Sequence, residues 1–178
     1  MSTEDLSTMI EIPSDVTVTE VNRELIVKGK LGSITKSFVK LPANIKIVDN
    51  TVTISPYGKR KRDLAISNTV RSLIANMIKG VQKGFTYKLK IVYAHFPISV
   101  KIKDRSVHVE NYYGERSARV SKIIGEGTKV TLEGDDIVVS GPNLEEVSQT
   151  AANIEASTKV KNKDQRVFLD GVYIYSYE

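Results

Sequence analysis

Cysteine and tryptophan are absent, and methionine, histidine and proline occur only three, two and five times in 178 residues. Without cysteine there is neither a disulfide framework nor a thiolate metal site. No apolar run reaches eighteen residues, so no spanning helix is expected. The first twenty residues carry Glu4, Asp5, Glu11 and Asp15 and no apolar run, so no secretory signal is read there. Catalytic signatures are missing as well: no P-loop, no Gly-x-Gly-x-x-Gly after a strand, no Gly-x-Ser-x-Gly. The expectation is a soluble cytosolic or nuclear protein that is not an enzyme, with no cofactor, no metal, no membrane and no small-molecule substrate.

What is present is globular: 40% hydrophobic and 26% charged residues, with a net charge of +5. A moderately basic chain favours a polyanionic partner. Short runs with period two, such as Tyr87, Leu89, Ile91 and Tyr93 between lysines, read as half-buried strands. Val52-Thr-Ile54 after the turn Asp49-Asn50, and Ile137-Val-Val139 after Gly134-Asp135, read as hairpins. Two helical stripes follow these hairpins: Ile66, Val70, Leu73 and Met77, then Leu144, Val147, Ala151 and Ile154. Lys79-Gly80 reads as the stop of the first helix. Asn143 starts the second, with Glu146 placed for a capping box.

The two halves run the same course. Pro13 and Pro97 differ by 84 positions, as do Val16 and Val100; Ser55 and Ser140 differ by 85. The helices align at 81, Ile66 with Val147 and Val70 with Ala151. A two-copy repeat of this period is a duplicated domain, not a solenoid. The fold class is therefore α+β, with two homologous domains, each of small antiparallel sheets packed around one helix. The boundaries read as a loose N-terminus over 1–9, a first domain over 10–93 and a second over 94–178.

Candidate functional residues are mostly cations. Lys59, Arg60, Lys61 and Arg62 stand at or just before a helix N-terminus, where the dipole favours anions. Either a phosphate binds there, using side chains and amides together, or the run is simply solvated. Lys159, Lys161, Lys163 and Arg166 lie in a segment of little apolar content, and their spacing with Asn162 and Gln165 suits a phosphate backbone. Thr158 to Gln165 offers only Val160 as an apolar side chain, so it is expected to be mobile until an anion orders it. Gly29-Lys-Leu-Gly32 matches the bare loop of KH domains, but it lies between strands and reads as a β-turn. His95 and His108 have no evident partner carboxylate and read as surface or interface residues.

At Val160-Lys-Asn-Lys-Asp-Gln-Arg-Val-Phe-Leu-Asp-Gly-Val-Tyr173 the chain resembles the universal large-subunit ribosomal protein L-six family, called L-nine in eukaryotes. Asn76-Met-Ile-Lys-Gly-Val81, Gly84-Phe-Thr-Tyr-Lys-Leu89 and Val92-Tyr-Ala-His-Phe-Pro97 are similar to the branch shared by archaea and eukaryotes. So are Val27-Lys-Gly-x-x-Gly32, Asn111-x-x-Gly-Glu115 and Glu133-Gly-Asp-Asp136. Pro56-Tyr57 in place of paired tryptophans, a short 120–131 region and the stop at Glu178 resemble archaeal members more than eukaryotic ones. The resemblance implies two homologous α+β domains and a structural role in the large ribosomal subunit. It implies binding to ribosomal RNA near the sarcin–ricin loop, mainly through the second domain, with Lys159, Lys161, Lys163 and Arg166 as contacts. Asp170 and Gly171 belong to the matched motif and read as a turn. Neighbouring large-subunit proteins are the other implied partners, in the cytoplasm, with nucleolar assembly only in a eukaryote. A free RNA-binding regulator is the alternative from the cations alone.

Overall fold

The computed structural model describes residues 7–164 and 166–178; Gln165 and residues 1–6 of the expected loose N-terminus lie outside them. Two compact units divide between Gly84 and Phe85. In the first, β1 (Thr8–Glu11), β6 (Thr51–Pro56) and β5 (Ala43–Val48) form one antiparallel sheet in that order. β2 (Thr17–Val21), β3 (Glu24–Gly29) and β4 (Gly32–Ser37) form another. Thr8 and Met9, expected to be loose, pair with Ile54 and Thr53. Helix α1 (Lys61–Gln82) packs on both sheets, burying Val70, Ile74, Met77, Ile78 and Val81 against Leu25, Val27, Phe38, Val52 and Ile54.

The second unit repeats this plan. β8 (Ser99–Lys103), β9 (Ser106–Glu110) and β10 (Arg119–Lys122) make the three-stranded sheet. β7 (Phe85–Val92) pairs with β12 (Asp136–Gly141) as β1 pairs with β6, and β11 (Lys129–Glu133) completes the hairpin. α2 (Leu144–Ser157) follows β12, and β13 (Gly171–Tyr177) adds a fourth strand beside β7. The core gathers Phe85, Leu89, Ile137, Val139, Val147, Ala151, Ile154 and Val172.

Three expected boundaries move. β7 was placed in the first domain, but both its pairing edges are filled by strands of the second unit, so the units part after Gly84, not after Tyr93. The helix stop is not Lys79-Gly80: Gly80 is buried within α1, the helix runs on to Gln82, and Gly84 at φ +76° provides the left-handed exit. The motif ending at Tyr173, where residues Phe168 to Ile174 read as a closing strand pair, holds a single strand that begins at Gly171. At the start of α2, the Asn143 side chain accepts from the Glu145 amide at 3.1 Å, a cap one residue short of the expected box.

Gly29 and Gly32 behave as turn residues of the β3–β4 hairpin. Gly32 sits at φ +125°. A Cβ on Gly29 would lie 2.7 Å from Val81 Cγ2 and 2.9 Å from its carbonyl oxygen. The same carbonyl accepts the Leu31 amide at 3.0 Å. The hairpin therefore clasps the end of α1, and Gly29→Ala should cost about 1–3 kcal/mol by overpacking. Urea unfolding reads it as a lowered midpoint at unchanged slope; an unchanged midpoint would mean that α1 yields freely.

Candidate nucleic-acid interface

In the first unit Lys59, Arg60, Lys61 and Arg62 are all exposed, with Arg60 as the N-cap of α1. The helix start is already served from within. Asp63 accepts the Arg60 amide at 3.2 Å, and its own amide returns to the Arg60 carbonyl at 2.9 Å. Gly58 leaves room for that carboxylate, since a Cβ there would collide with Asp63 Oδ2. An external phosphate at this helix end would meet Asp63 first, so the cationic side chains rather than the amides are what the run offers.

In the second unit Lys159, Lys161, Lys163 and Arg166 are exposed on the connection from α2 to β13. Its ends are better fixed than the composition implies. Thr158 is 3% exposed. Its hydroxyl donates to the Glu155 carbonyl at 3.1 Å and accepts the Val172 amide at 3.0 Å. Its carbonyl accepts the Tyr112 hydroxyl at 2.6 Å. Arg119 donates to the Ser157 carbonyl at 2.9 Å, a cation on the negative end of α2. The same guanidinium pairs with Glu115 at 2.6 Å and lies 4.1 Å from the centre of the Tyr112 ring. The Arg119 hydrogen bond holds the Glu115 carboxyl below its usual range, and burial pushes the Tyr112 phenol up to about 12. Further along, Asp164 folds a turn: its carboxylate accepts the Arg166 amide at 2.9 Å, and its carbonyl accepts the amides of Val167 and Phe168 at 3.2 and 3.0 Å. Between these anchors residues 160–163 belong to no helix or strand.

The histidines separate. His108 alternates with buried Val107 and Val109, and its Nε2 lies 3.0 Å from the Ser106 hydroxyl. His95 does have a carboxylate partner. Asp170 is 1% exposed and accepts the amides of Ala94 and His95 at 2.9 and 3.2 Å. Its Oδ1 also stands 3.2 Å from His95 Nδ1. Burial acts to raise the Asp170 pKa, but the two amides and the ring outweigh it and leave the carboxyl below its ordinary value. The Asp170 read as a plain turn residue is thus a buried clamp on the chain after β7. His95 stacks on Phe168 at 5.3 Å between ring centroids, and Tyr113 closes edge-on to Phe168 at 5.8 Å. Lys163 Nζ lies 4.8 Å from the Phe168 ring centre. Val167 and Leu169 beside this cluster are 61% and 57% exposed.

Cations on the α2–β13 connection thus stand beside partly exposed rings, with no group of metal-holding side chains among the described residues. A sequence profile described as ribosomal protein L6 matches residues 12–84 and 96–171. The chain belongs to the ribosomal protein L6 family. The two matched segments fall one in each unit, as two homologous domains require. Among its relatives, the large ribosomal subunit protein uL6 of Staphylothermus marinus is 48% identical over 94% of this chain and 92% of its own length. That of Methanosphaera stadtmanae is 47% identical over 96% and 92%, and that of Saccharolobus solfataricus 43% over 95% and 93%. These place the chain in the archaeal branch of L6. Arg119, Tyr113 and Phe168 of this L6 member drew no individual reading from the sequence, and His95 was read only as a surface or interface residue. The available signal was that His95, Phe168 and Asp170 lie within family-like motifs and that Tyr113 falls inside Asn111-x-x-Gly-Glu115.

Proposed function

We infer that the protein is a structural constituent of the large ribosomal subunit, holding ribosomal RNA near the sarcin–ricin loop and performing no chemistry. The observation that carries this is the α2–β13 connection of an L6-family chain: four exposed cations strung between two anchored ends. Lys159, Lys161, Lys163 and Arg166 neutralise phosphates where RNA helices converge, and the ends fix their register. The second unit is the main RNA-binding domain. Lys59, Arg60, Lys61 and Arg62 form a second, side-chain-only phosphate contact on the first. Neighbouring large-subunit proteins are the remaining partners, and the ribosome in the cytoplasm is the location.

Co-sedimentation decides between this reading and a free RNA-binding regulator. The tagged chain, expressed in an archaeal host, should travel with the large subunit through a gradient at physiological salt and be depleted from the light fractions. Recovery only in the light fractions, bound to RNA or not, would overturn the ribosomal assignment.

A further inference from the structure

Three aromatic rings from distant parts of the second unit converge beside the cationic connection. His95 comes from the segment after β7, Tyr113 from the turn after β9, and Phe168 from the approach to β13. Their centroids lie 5.3 to 6.4 Å apart, and the interplanar angle of His95 with Phe168 is 30°. Each ring is fixed by something besides its neighbours. Asp170 holds His95 through the ring and the backbone amide. Tyr113 sits at φ +50° between Asn111 at +60° and Gly114 at +73°, and the Asn111 side chain pins that turn to the Pro97 carbonyl at 3.0 Å. A left-handed aromatic residue is uncommon and persists only where its surroundings enforce it. The Phe168 amide is bound by Asp164. The cluster lies at the edge of the core: Tyr113 packs against buried Ile98, Val109 and Tyr112, while the His95 side chain is 39% exposed and Lys163 is at the surface.

Rings set rigidly at a surface, with a cation 4.8 Å from one and 5.7 Å from another, match what single-stranded nucleic acid needs: a face for a base and a charge for its phosphate. We propose that His95, Tyr113 and Phe168 form a stacking platform for one unpaired RNA base, with Lys163 leaving the rings for the adjoining phosphate. Duplex RNA keeps its bases stacked internally and offers none to such a surface, so the platform selects a loop, bulge or strand end. An exposed ammonium near a ring is weakly held, so exchanging the ring for a phosphate is favourable. Recognition is tolerant of base identity, because every base presents a π-face. The proposal rests on the RNA-binding reading above and adds which feature of the RNA the second unit takes.

The test uses the full chain and end-labelled eight-residue RNAs: oligouridine, an abasic strand of the same backbone charge, and a duplex of the same length. Oligouridine should bind roughly 5- to 150-fold more tightly than the abasic strand, the range for one stacked base. It should also quench tyrosine emission, which no tryptophan masks. Phe168→Leu keeps apolar bulk and should remove most of that preference without changing the salt slope, which counts phosphates rather than bases. If that variant fails to fold, His95→Leu gives the same readout. Equal affinity for oligouridine and the abasic strand, or an unchanged preference in a folded Phe168→Leu, would overturn the platform. Preferential loss on changing the four connection cations would then leave the RNA reading standing alone. Absence of binding to every RNA at low salt would overturn both.

Discussion

Changing Lys159, Lys161, Lys163 and Arg166 together to alanine should abolish stable incorporation into the large subunit while leaving the fold intact. The net charge falls from +5 to +1, and all four losses come from one short connection. Each phosphate contact contributes roughly 0.7–0.9 to the slope of log affinity against log salt, so four contacts amount to about three units of slope. An interface that loses that much at physiological salt cannot compete with water and counterions for the same phosphates. The fold should not notice. All four side chains are exposed, and none belongs to a core cluster. Of the four, Lys163 lies over the Tyr113 and Phe168 rings, contacts that at an exposed site contribute about 0.5–1 kcal/mol each. The anchors at Thr158, Asp164 and Asp170 are untouched. Gradient sedimentation of the tagged variant, with circular dichroism beside it, reads both halves. A folded quadruple variant that sediments normally with the subunit would remove these residues from the interface.

How far the sequence speaks depends on which errors its periodicities can detect. The duplication, both hairpins and both helix stripes were legible, because alternation and the 3.6-residue period are local. The register of the repeat was legible at β6 and β12, which differ by the expected 85, but not on either side of them. Fully buried Leu25 and Val27 of β3 correspond to Val107 and Val109 of β9, a shift of 82 rather than 84. Buried Val70, Ile74 and Met77 of α1 match Val147, Ala151 and Ile154 of α2 best, a shift of 77 rather than 81. The first discrepancy is two residues along a strand and the second about one helical turn. Either slip returns every apolar side chain to the same face, so the pattern cannot register it.

Ownership of β7 was hidden for a related reason. A half-buried strand shows which face is apolar, not which sheet fills its edges. The ring cluster was invisible because its members meet across long separations: the His95–Asp170 contact spans 75 residues of sequence. In a chain where charged residues are 26% of the total, one aspartate near a strand start carries no mark of burial. Arg119 shows the converse: nothing in the sequence sets it apart from other cations, yet it is engaged by Glu115 and the end of α2.

Asp170→Asn should weaken the second unit by about 2–4 kcal/mol at neutral pH. The wild-type carboxylate is buried and receives two amides, from Ala94 and His95, with the imidazole at 3.2 Å. Asparagine matches the shape but offers one acceptor oxygen, so its amide group faces an N–H that it cannot satisfy. Hydrogen bonds to a charged acceptor contribute about 1.5–3 kcal/mol, and a buried donor left without a partner costs about 1–3 kcal/mol. The carboxyl in the folded protein titrates below its ordinary value, which fixes the sign of the acid response. Its contribution is complete above the unfolded-state pKa of about 3.9 and is lost as pH falls through the depressed folded value. The variant has no such group to lose, so the two stability curves should be parallel above about pH 5 and converge below pH 4. Urea unfolding across that range measures the gap. A gap that stays constant into strong acid would show that Asp170 acts through shape alone, and no gap at neutral pH would show that the chain after β7 is held by something else. The ring platform gives an independent reading of the same clamp. Releasing His95 should cost the preference for oligouridine over the abasic strand in a variant that remains folded, because a ring free to turn no longer presents a fixed face to a base.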